Sequence, residues 1–324
     1  MKNFDIVALG EILIDFTPYG TAEDGCMLFG RNPGGAPANL LATVAKYGGK
    51  TAFIGRVGAD MFGEFLRETL KTNGIDDRAL KTDEAHDTTL AFVSLDADGD
   101  RRFAFYRRFG ADRFLSPEDV PTDLLADARI FHFGSISMTD DPALSATLFA
   151  LARARENGCV ISYDPNYRPM LWPSEERAAT VIRTVLDRVD IAKFSREEAE
   201  MIGLSGNVEE LAAALTDLGP SVALVTDGAG DLGYATSAGA HGKIPARRVK
   251  PTDTTGAGDI FYGTCLFELL RAGFGYADGD LQVPSAETLR HAATRAVAAA
   301  GISITRKGAI PSIPTYSEIP ENEI

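Results

Sequence analysis

A carboxylate directly follows three small residues at the point where a long apolar helix is predicted to begin. The segment Asp253–Asp259 reads DTTGAGD and leads into residues 260–272, which are apolar on nearly every side. The first N–H groups of a helix have no partner within it, and the positive end of the helix dipole lies there. Gly256, Ala257 and Gly258 would let an oxyanion approach those N–H groups closely. The pattern therefore predicts a site for an anion such as a phosphoryl group.

Asp259 itself allows two interpretations. A carboxylate in the first turn of a helix stabilises the helix through its dipole and needs no chemical role. The same carboxylate can act as a general base that takes a proton from a nucleophile attacking the bound anion. A negative charge beside an anion site is unfavourable unless it has such a task. This favours the base, but the residues alone leave both interpretations open.

A second glycine-rich segment precedes a helix predicted over residues 36–47. Gly34 and Gly35 would let the backbone approach a ligand, and the side-chain amide of Asn39 offers both a donor and an acceptor. Asp15 follows the first apolar run of the chain. A tight loop before a helix and a solvated carboxylate explain these residues equally well, so on their own they indicate no particular ligand.

Other motifs fail in their sequence context. Residues 228–233 match G-x-G-x-x-G, but residues 234–239 favour a strand and a turn, whereas a dinucleotide site needs a helix there. Gly-Lys-Thr at residues 49–51 lacks the upstream glycine of a Walker A loop. The cysteines have no C-x-x-C spacing and the histidines no ligand spacing, which argues against zinc.

The charge balance limits the partners of the protein. The 324 residues contain 32 Lys and Arg against 46 Asp and Glu, and the net charge of −14 argues against nucleic acid and membrane surfaces as partners. No uncharged apolar run reaches the ~18 residues that predict a membrane span. Three cysteines without paired spacing favour reduced thiols, and no signal peptide is recognisable. We therefore expect a cytoplasmic protein.

The residues that could do chemistry lie at the ends of predicted strands. Short apolar runs alternate with helical patterns along most of the chain, which predicts βαβ units and a mostly parallel sheet flanked by helices. Residues 164–166, 195–198 and 226–228 each follow such a run. Ligands of open α/β sheets bind at the carboxyl ends of the strands, so we expect these residues to share one crevice.

Two segments interrupt this alternation. Residues of about 12–33 and 88–110 contain strands without intervening helices, and the second segment has a predicted turn at residues 96–100. These strands predict a small sheet apart from the main one. A length of 324 residues fits two domains or one large α/β domain with an elaboration equally well.

The two glycine-rich segments together are specific. GGAPAN at residues 34–39 and DTTGAGD far downstream resemble the two signatures of the ribokinase-like, or PfkB, carbohydrate kinase family. The resemblance extends over nearly the whole chain and is strongest to the fructokinase branch. It implies one α/β domain over residues 1–324, with a central, mostly parallel sheet flanked by helices. Residues of about 12–33 and 88–110 would form a β-sheet lid over a sugar site. It also implies a homodimer joined through the lid.

The resemblance assigns roles to individual residues. Asp259 would be the catalytic base, and Gly256, Ala257 and Gly258 would form the anion hole. The implied substrate-binding residues are Asp15, Gly34, Gly35, Asn39, Arg107 and Arg168. The implied ATP-binding residues are Asn166, Lys193, Ser195, Thr226, Gly228 and Gly230. Glu198 would hold Mg²⁺ through water, and Asp253 and Thr255 would hold a monovalent cation, K⁺, together with carbonyl groups near residues 303–308. Ser195 stands where the family usually has Asn in an Asn-x-x-Glu motif.

The resemblance implies an ATP-dependent sugar kinase that converts D-fructose to fructose 6-phosphate. A close alternative substrate is 2-keto-3-deoxygluconate, whose carboxylate would suit bidentate binding by Arg107 or Arg168. Arg168 could instead pair with a phosphate of ATP, and Arg107 could lie on the lid surface. A protein of another class, a sugar-responsive regulator without turnover, is a further alternative. Such a protein would be free to lose Asp259, so the presence of Asp259 favours an enzyme.

Overall fold

The computed structural model describes residues 2–95 and 101–321, and the predicted alternation of strands and helices is present in them. The strands are β1 (Phe4–Leu9), β2 (Leu13–Thr21), β3 (Met27–Gly34), β4 (Thr51–Gly58), β5 (Ile75–Asp83), β6 (Leu90–Leu95), β7 (Arg101–Tyr106), β8 (Ala128–Gly134), β9 (Val160–Asp164), β10 (Ile191–Ser195), β11 (Val222–Thr226), β12 (Leu232–Thr236), β13 (His241–Ile244), β14 (Tyr276–Ala277) and β15 (Asp280–Leu281). The helices are α1 (Ala36–Lys46), α2 (Met61–Thr72), α3 (Thr122–Ala126), α4 (Ala143–Glu156), α5 (Glu175–Arg183), α6 (Arg196–Met201), α7 (Val208–Thr216), α8 (Ala257–Arg271) and α9 (Ala286–Ser303).

The main sheet has the strand order β13-β12-β11-β10-β9-β8-β1-β4-β5. All neighbours from β11 to β5 are parallel, whereas β12 and β13 run antiparallel at one edge. The expected mostly parallel sheet is therefore confirmed. Its antiparallel edge begins within residues 228–233, where the sequence imitates a dinucleotide motif, and β12 follows in place of a helix.

Helices cover both faces of the main sheet. Successive strand residues point to opposite faces, so Ile6 and Ala8 share one core with α1, α8 and α9, whereas Val7 and Leu9 share the other with α4, α5 and α7. Strands buried on both faces are apolar throughout, which is why they appear in the sequence as short continuous runs. None of the helices in the described residues has the length and apolar character needed to cross a membrane.

A second, smaller sheet has the order β3-β2-β6-β7. The β2 and β6 strands pair in parallel, and the other two pairs are antiparallel. The sheet is built from the two segments that the sequence predicts, although the predicted turn at residues 96–100 lies outside the described residues. Phe16 stacks on Phe92 with ring centroids 4.8 Å apart. The role of this sheet as a lid stays a prediction.

Candidate active site

Three neighbouring parallel strands bring their last residues to one edge of the main sheet. Asp164 ends β9, Ser195 ends β10 and Thr226 ends β11. The α8 helix begins at the same edge, because Asn166, two residues beyond β9, donates a hydrogen bond to Asp259 in the first turn of α8. The strands and α8 thus form the crevice expected at the carboxyl ends of the sheet.

The start of α8 requires glycine. Gly256 is the N-cap and has a left-handed backbone with φ of 75°, and a Cβ added there would lie 2.6 Å from the Cβ of Ala309. A Cβ added to Gly258 would lie 3.3 Å from the Nζ of Lys193. The N–H of Ala257 donates to the Thr254 carbonyl at 3.3 Å. The other N–H groups at the start of α8 and an ammonium group border the same small space, which suits an anion.

Asp259 is buried and is held by two side-chain amides. Asn39 Nδ2 donates to Asp259 Oδ2 at 2.8 Å, and Asn166 Nδ2 donates to Oδ1 at 3.0 Å. Burial raises the pKa of Asp259 above its ordinary value, while Asn39, Lys193, Arg168 and Asn166 oppose that rise. A carboxylate that is oriented through both oxygens and has a raised pKa is suited to accept a proton. This geometry favours the base over a simple dipole role.

Lys193 is a buried cation close to buried carboxylates. Its Nζ donates to Asp164 Oδ2 at 2.9 Å. Burial alone would lower the pKa of Lys193, but the charges of Asp164 and Glu198 outweigh burial and raise it. Burial raises the pKa of both carboxyl groups, and Lys193 opposes that effect. Lys193 therefore stays protonated beside the space in front of α8.

Glu198 uses both carboxylate oxygens on backbone N–H groups. Oε2 accepts from the N–H of Ser195 at 2.7 Å and Oε1 accepts from the N–H of Tyr167 at 2.7 Å. The hydroxyl of Ser195 accepts from the N–H of Glu198, which completes a capping box at the start of α6. Each oxygen has a further lone pair, so an indirect contact with a metal ion through water fits this donor set.

Asp15 on β2 is close to the same charged groups as Asp259. Burial raises the pKa of Asp15 to about 6, Arg168 opposes the rise, and the negative charge of Asp259 adds to it. A Cβ on Gly34 would overlap the Asp15 carboxylate, and a Cβ on Gly35 would overlap a backbone carbonyl of the β1–β2 connection. Both glycines are therefore needed where the small sheet joins α1.

Two cavities meet at the start of α8. The first has a volume of about 720 Å³ and is lined by the predicted nucleotide residues Thr226, Gly228 and Gly230. The second has a volume of about 550 Å³ and has a charged lining. Its charged residues are Arg168, Glu175, Lys193, Glu197, Glu198 and Asp259. Thr254, Ala257 and Gly258 border both cavities.

One wall of the first cavity is apolar and was not predicted from the sequence. Val297, Ala300 and Ile304 on or beside α9 line it together with Phe261 of α8. Arg247 and Arg248 border it from the loop after β13. The apolar wall suits a flat ring, and the arginines place positive charge at the rim of an otherwise acidic protein. These residues belong to neither of the two glycine-rich segments, so the motifs did not point to them.

A chain of buried hydrogen bonds anchors α8 to the sheet beneath it. Ser162 donates to the hydroxyl of Tyr262, which donates to the carbonyl of Ile191 at 3.0 Å. His132 Nδ1 lies 3.0 Å from the Ser162 hydroxyl, and burial lowers the pKa of His132 to about 3, so its imidazole is neutral. Because Tyr262 lies one turn after Asp259, these bonds help to fix the base relative to β9 and β10.

The predicted cation loop connects two segments of backbone. Thr255 donates to Asp253 Oδ1 from its N–H at 2.9 Å and from its hydroxyl at 2.6 Å, and the N–H of Gly308 donates to Oδ2 at 2.9 Å. The Asp253 carboxylate thus holds the segment before α8 against residues 303–308. The predicted monovalent-cation site includes carbonyl groups of that segment. In residues 2–95 and 101–321 no group of three or more His, Cys, Asp and Glu could hold a metal ion. A monovalent cation held mainly by carbonyl oxygens stays a prediction.

Arg107 does not lie in either cavity. It is only 4% exposed, and its Nε donates to Asp112 at 2.7 Å while its terminal nitrogens donate to Thr139 and to the Ile136 carbonyl. The guanidinium therefore joins the end of β7 to the segment after β8. This geometry contradicts the alternative in which Arg107 lies on the lid surface, and it gives no support to the predicted sugar-binding role.

The other predicted residues lie close together. Asn39 contacts Asp259 directly, and Asp15 and Arg168 interact with it through their charges. The predicted nucleotide-binding residues Thr226, Gly228 and Gly230 line the first cavity, which reaches the start of α8. Asn166, predicted to bind the cofactor, gives its amide to Asp259. Its contact with a nucleotide stays a prediction.

Comparison with known proteins identifies the family. The family model described as pfkB family carbohydrate kinase matches residues 3–316. The chain belongs to the PfkB family of carbohydrate kinases. This carbohydrate kinase is 40% identical over 316 residues to Fructokinase-2 of Solanum lycopersicum, a match that covers 97% of this chain and 94% of the relative.

Solved structures agree with this assignment. Fructokinase with bound ATP from Xylella fastidiosa has a TM-score of 0.86 and 33% identity, covering 97% of this kinase and 96% of that chain. A fructokinase double mutant from Vibrio cholerae O395, in fructose, ADP and potassium ion bound form, has a TM-score of 0.83 and 31% identity, covering 98% of both chains. The protein is therefore a sugar kinase, and the alternative of a regulator without turnover is not supported.

Proposed function

We propose that this sugar kinase transfers the γ-phosphoryl group of ATP to D-fructose and releases fructose 6-phosphate and ADP. The observation that carries the proposal is the position of Asp259, which is held by two amides in the first turn of α8 and lines the charged cavity. The fructokinase relatives, similar over nearly the whole chain, support fructose as the acceptor.

Asp259 is the proton acceptor in this proposal. It takes the proton of the sugar hydroxyl while that oxygen attacks the γ-phosphorus and the bond to the β-phosphate oxygen breaks. Asp15, Gly34, Gly35 and Asn39 would hold the sugar. The Oδ1 of Asn39 is buried and has no hydrogen-bond partner among the described residues, which leaves it able to accept from a sugar hydroxyl.

The start of α8 stabilises the transferred group. The N–H groups of Gly256, Ala257 and Gly258, together with the ammonium group of Lys193, would stabilise the negative charge on the phosphoryl oxygens. Thr226, Gly228 and Gly230 would contact the rest of the nucleotide. Mg²⁺ supplies charge neutralisation to phosphates when it is bound, and Glu198 would hold it through water. Asp253 and Thr255 would hold K⁺ beside this helix.

The choice between the two sugars depends on the arginines. Arg107 is buried against Asp112, so its charge is already neutralised by the protein. Arg168 lines the charged cavity and lowers the pKa of both Asp15 and Asp259 by its charge, so it faces the acceptor side of the site. Arg168 is the residue that would favour 2-keto-3-deoxygluconate. With two carboxylates beside it, Arg168 is better explained as their partner or as a ligand of ATP.

We expect a kcat/KM for fructose at least about 10-fold above that for 2-keto-3-deoxygluconate, ribose and adenosine. The keto acid would add a carboxylate to an acidic site, and the fructokinase relatives favour fructose over the two neutral acceptors. A coupled assay of ADP release over the four acceptors measures this. A preference for the keto acid would overturn fructose as substrate while leaving the kinase assignment intact. The same assay without acceptor gives the rate of ATP hydrolysis and serves as the control.

We also propose a homodimer joined through the small sheet. Tyr19, Met27 and Tyr106 are 71%, 66% and 67% exposed on this sheet, and Phe29 is also exposed. A group of exposed apolar side chains on one sheet marks an interaction surface, and sheet edges left open would otherwise invite unwanted pairing.

Light scattering at assay concentration is expected to give the mass of a dimer, and Met27→Asp with Tyr106→Asp is expected to shift it to the monomer, because two buried charges oppose the contact. Met61→Asp changes an equally exposed methionine outside the small sheet and is expected to leave the mass unchanged. A wild-type monomer would contradict the proposal.

A further inference from the structure

We propose that Asn166 is a positioning residue for Asp259. The turn Asp164–Asn166 holds the side-chain amide of Asn166 against the carboxylate of the base. The inference rests on the proposed function, because it concerns the proton acceptor of that reaction. It differs from the nucleotide-binding role that the family resemblance implies for Asn166. Asn166 would act on the reaction through Asp259, without touching the phosphates.

The contact between the two side chains is direct and buried. Asn166 and Asp259 are each 8% exposed, and the distance from Asn166 Nδ2 to Asp259 Oδ1 is 3.0 Å. Asn39 holds the other oxygen from α1. With one amide on each oxygen, rotation of the carboxylate would break a hydrogen bond to a buried donor. Asn166 therefore fixes which lone pair faces the crevice.

The backbone of Asn166 supports the same conclusion. Its φ is 47°, and among the described residues only Asn166 and Asp278 combine a positive φ with a side chain. The left-handed conformation is unfavourable for residues other than glycine, and it persists where surrounding contacts over-determine it, often at functional sites. Glycine would relieve this strain, but it would supply no amide.

The turn is held by a chain of contacts that ends at the base. Lys193 donates to Asp164 Oδ2, and Asp164 Oδ1 accepts from the N–H of Asn166 at 3.1 Å. The side chain of Asn166 then donates to Asp259. The segment thus connects the last residue of β9 to the first turn of α8, so a shift of either element would reach the carboxylate.

Burial and neighbouring charges set the protonation of Asp259. Burial raises its pKa, whereas Lys193 from β10 and Arg168 from the turn after β9 stabilise its charged form. The charge of Asp259 in turn raises the pKa of Asp15 on β2 and of Asp164 on β9, so the three carboxyl groups oppose one another's ionisation. The amide of Asn166 also stabilises the charged form. Loss of this donor raises the pKa of the base, so the acid limb of the pH–rate profile moves to higher pH.

The test replaces Asn166 in two ways and measures kcat, both KM values and the pH profile of kcat/KM. Asn166→Gly keeps the left-handed backbone and removes the amide, so we expect kcat to fall by about 10²-fold with the KM for ATP unchanged. Asn166→Asp keeps the shape but adds a carboxylate beside Asp259, so we expect the acid limb to move upward by about one pH unit or more.

Asp278→Gly is the matched control, because it removes the other left-handed side chain among the described residues, in an exposed turn that lines neither cavity. We expect it to leave kcat and the pH profile unchanged. A raised KM for ATP with normal kcat and an unmoved acid limb in both Asn166 variants would overturn the inference in favour of nucleotide binding. Absence of any sugar phosphorylation by the wild type would instead contradict the proposed function, and this is seen before any variant is compared.

Discussion

Asp259→Asn is expected to lower kcat by at least about 10²-fold while sugar binding is largely kept. An amide of the same shape cannot accept the proton of the attacking hydroxyl. The fold should tolerate the change, because the new amide has the shape of the carboxylate and its oxygen can still accept from one of the two asparagine side chains. The variant also removes a buried charge whose pKa is raised by burial.

Two measurements separate the base from a structural role of Asp259. Steady-state turnover gives kcat, and calorimetric titration with fructose gives the affinity of the sugar. Asp190→Asn is the matched control, since Asp190 is also buried and has its pKa raised by burial, but it precedes β10 at the opposite end of the strand. We expect normal kcat in the control. Near-normal turnover of Asp259→Asn would refute Asp259 as the base.

The predictable part of the site consists of features that depend on short stretches of chain. The start of α8 follows from small residues before an apolar helix, since the end of any helix exposes unpaired N–H groups. Likewise, the apolar runs predict strands whose carboxyl ends share an edge, which is where Asp164, Ser195 and Thr226 lie. Position relative to a strand end is thus accessible from sequence.

Partners across the fold were not accessible in the same way. Asn166 was placed at a strand end, but its partner Asp259 is 93 residues away, and only the packing of α8 on the sheet joins them. Arg107 looked available to a ligand, yet it pairs with Asp112 five residues later. An aspartate a few residues from an arginine indicates that the guanidinium has a protein partner, so Asp112 would have predicted the pairing of Arg107.

The C-terminal helix was missed although its signal is regular. Ser285 caps α9, and Leu289, Ala292 and Ala296 recur at helical spacing on its buried face. The alanines are small, so the apolar stripe is weak compared with the leucine-rich pattern of a typical amphipathic helix. The wall that α9 gives to the first cavity was missed with the helix, so the predicted nucleotide side of the site had no apolar wall.

Lys193→Met is expected to destabilise the protein by about 3–5 kcal/mol, because it leaves Asp164 buried without its partner. It is also expected to lower kcat by at least about 10²-fold, since the ammonium group beside Gly258 would no longer stabilise charge on the transferred group. Urea unfolding measures the first effect, and turnover per folded enzyme measures the second. Adding Asp164→Asn to Lys193→Met removes both charges and is expected to restore stability but not kcat.

The Arg295–Glu268 pair separates these two effects. Arg295 Nε lies 2.6 Å from Glu268 Oε1 between α9 and α8, and both side chains are as buried as Lys193 and Asp164. Arg295→Met should therefore destabilise the fold by a similar amount through the same uncompensated charge. It lies outside both cavities, so kcat per folded enzyme is expected to stay normal. Equal losses of kcat in the two variants would mean that Lys193 acts only through stability, and its place in the reaction would have to be given up.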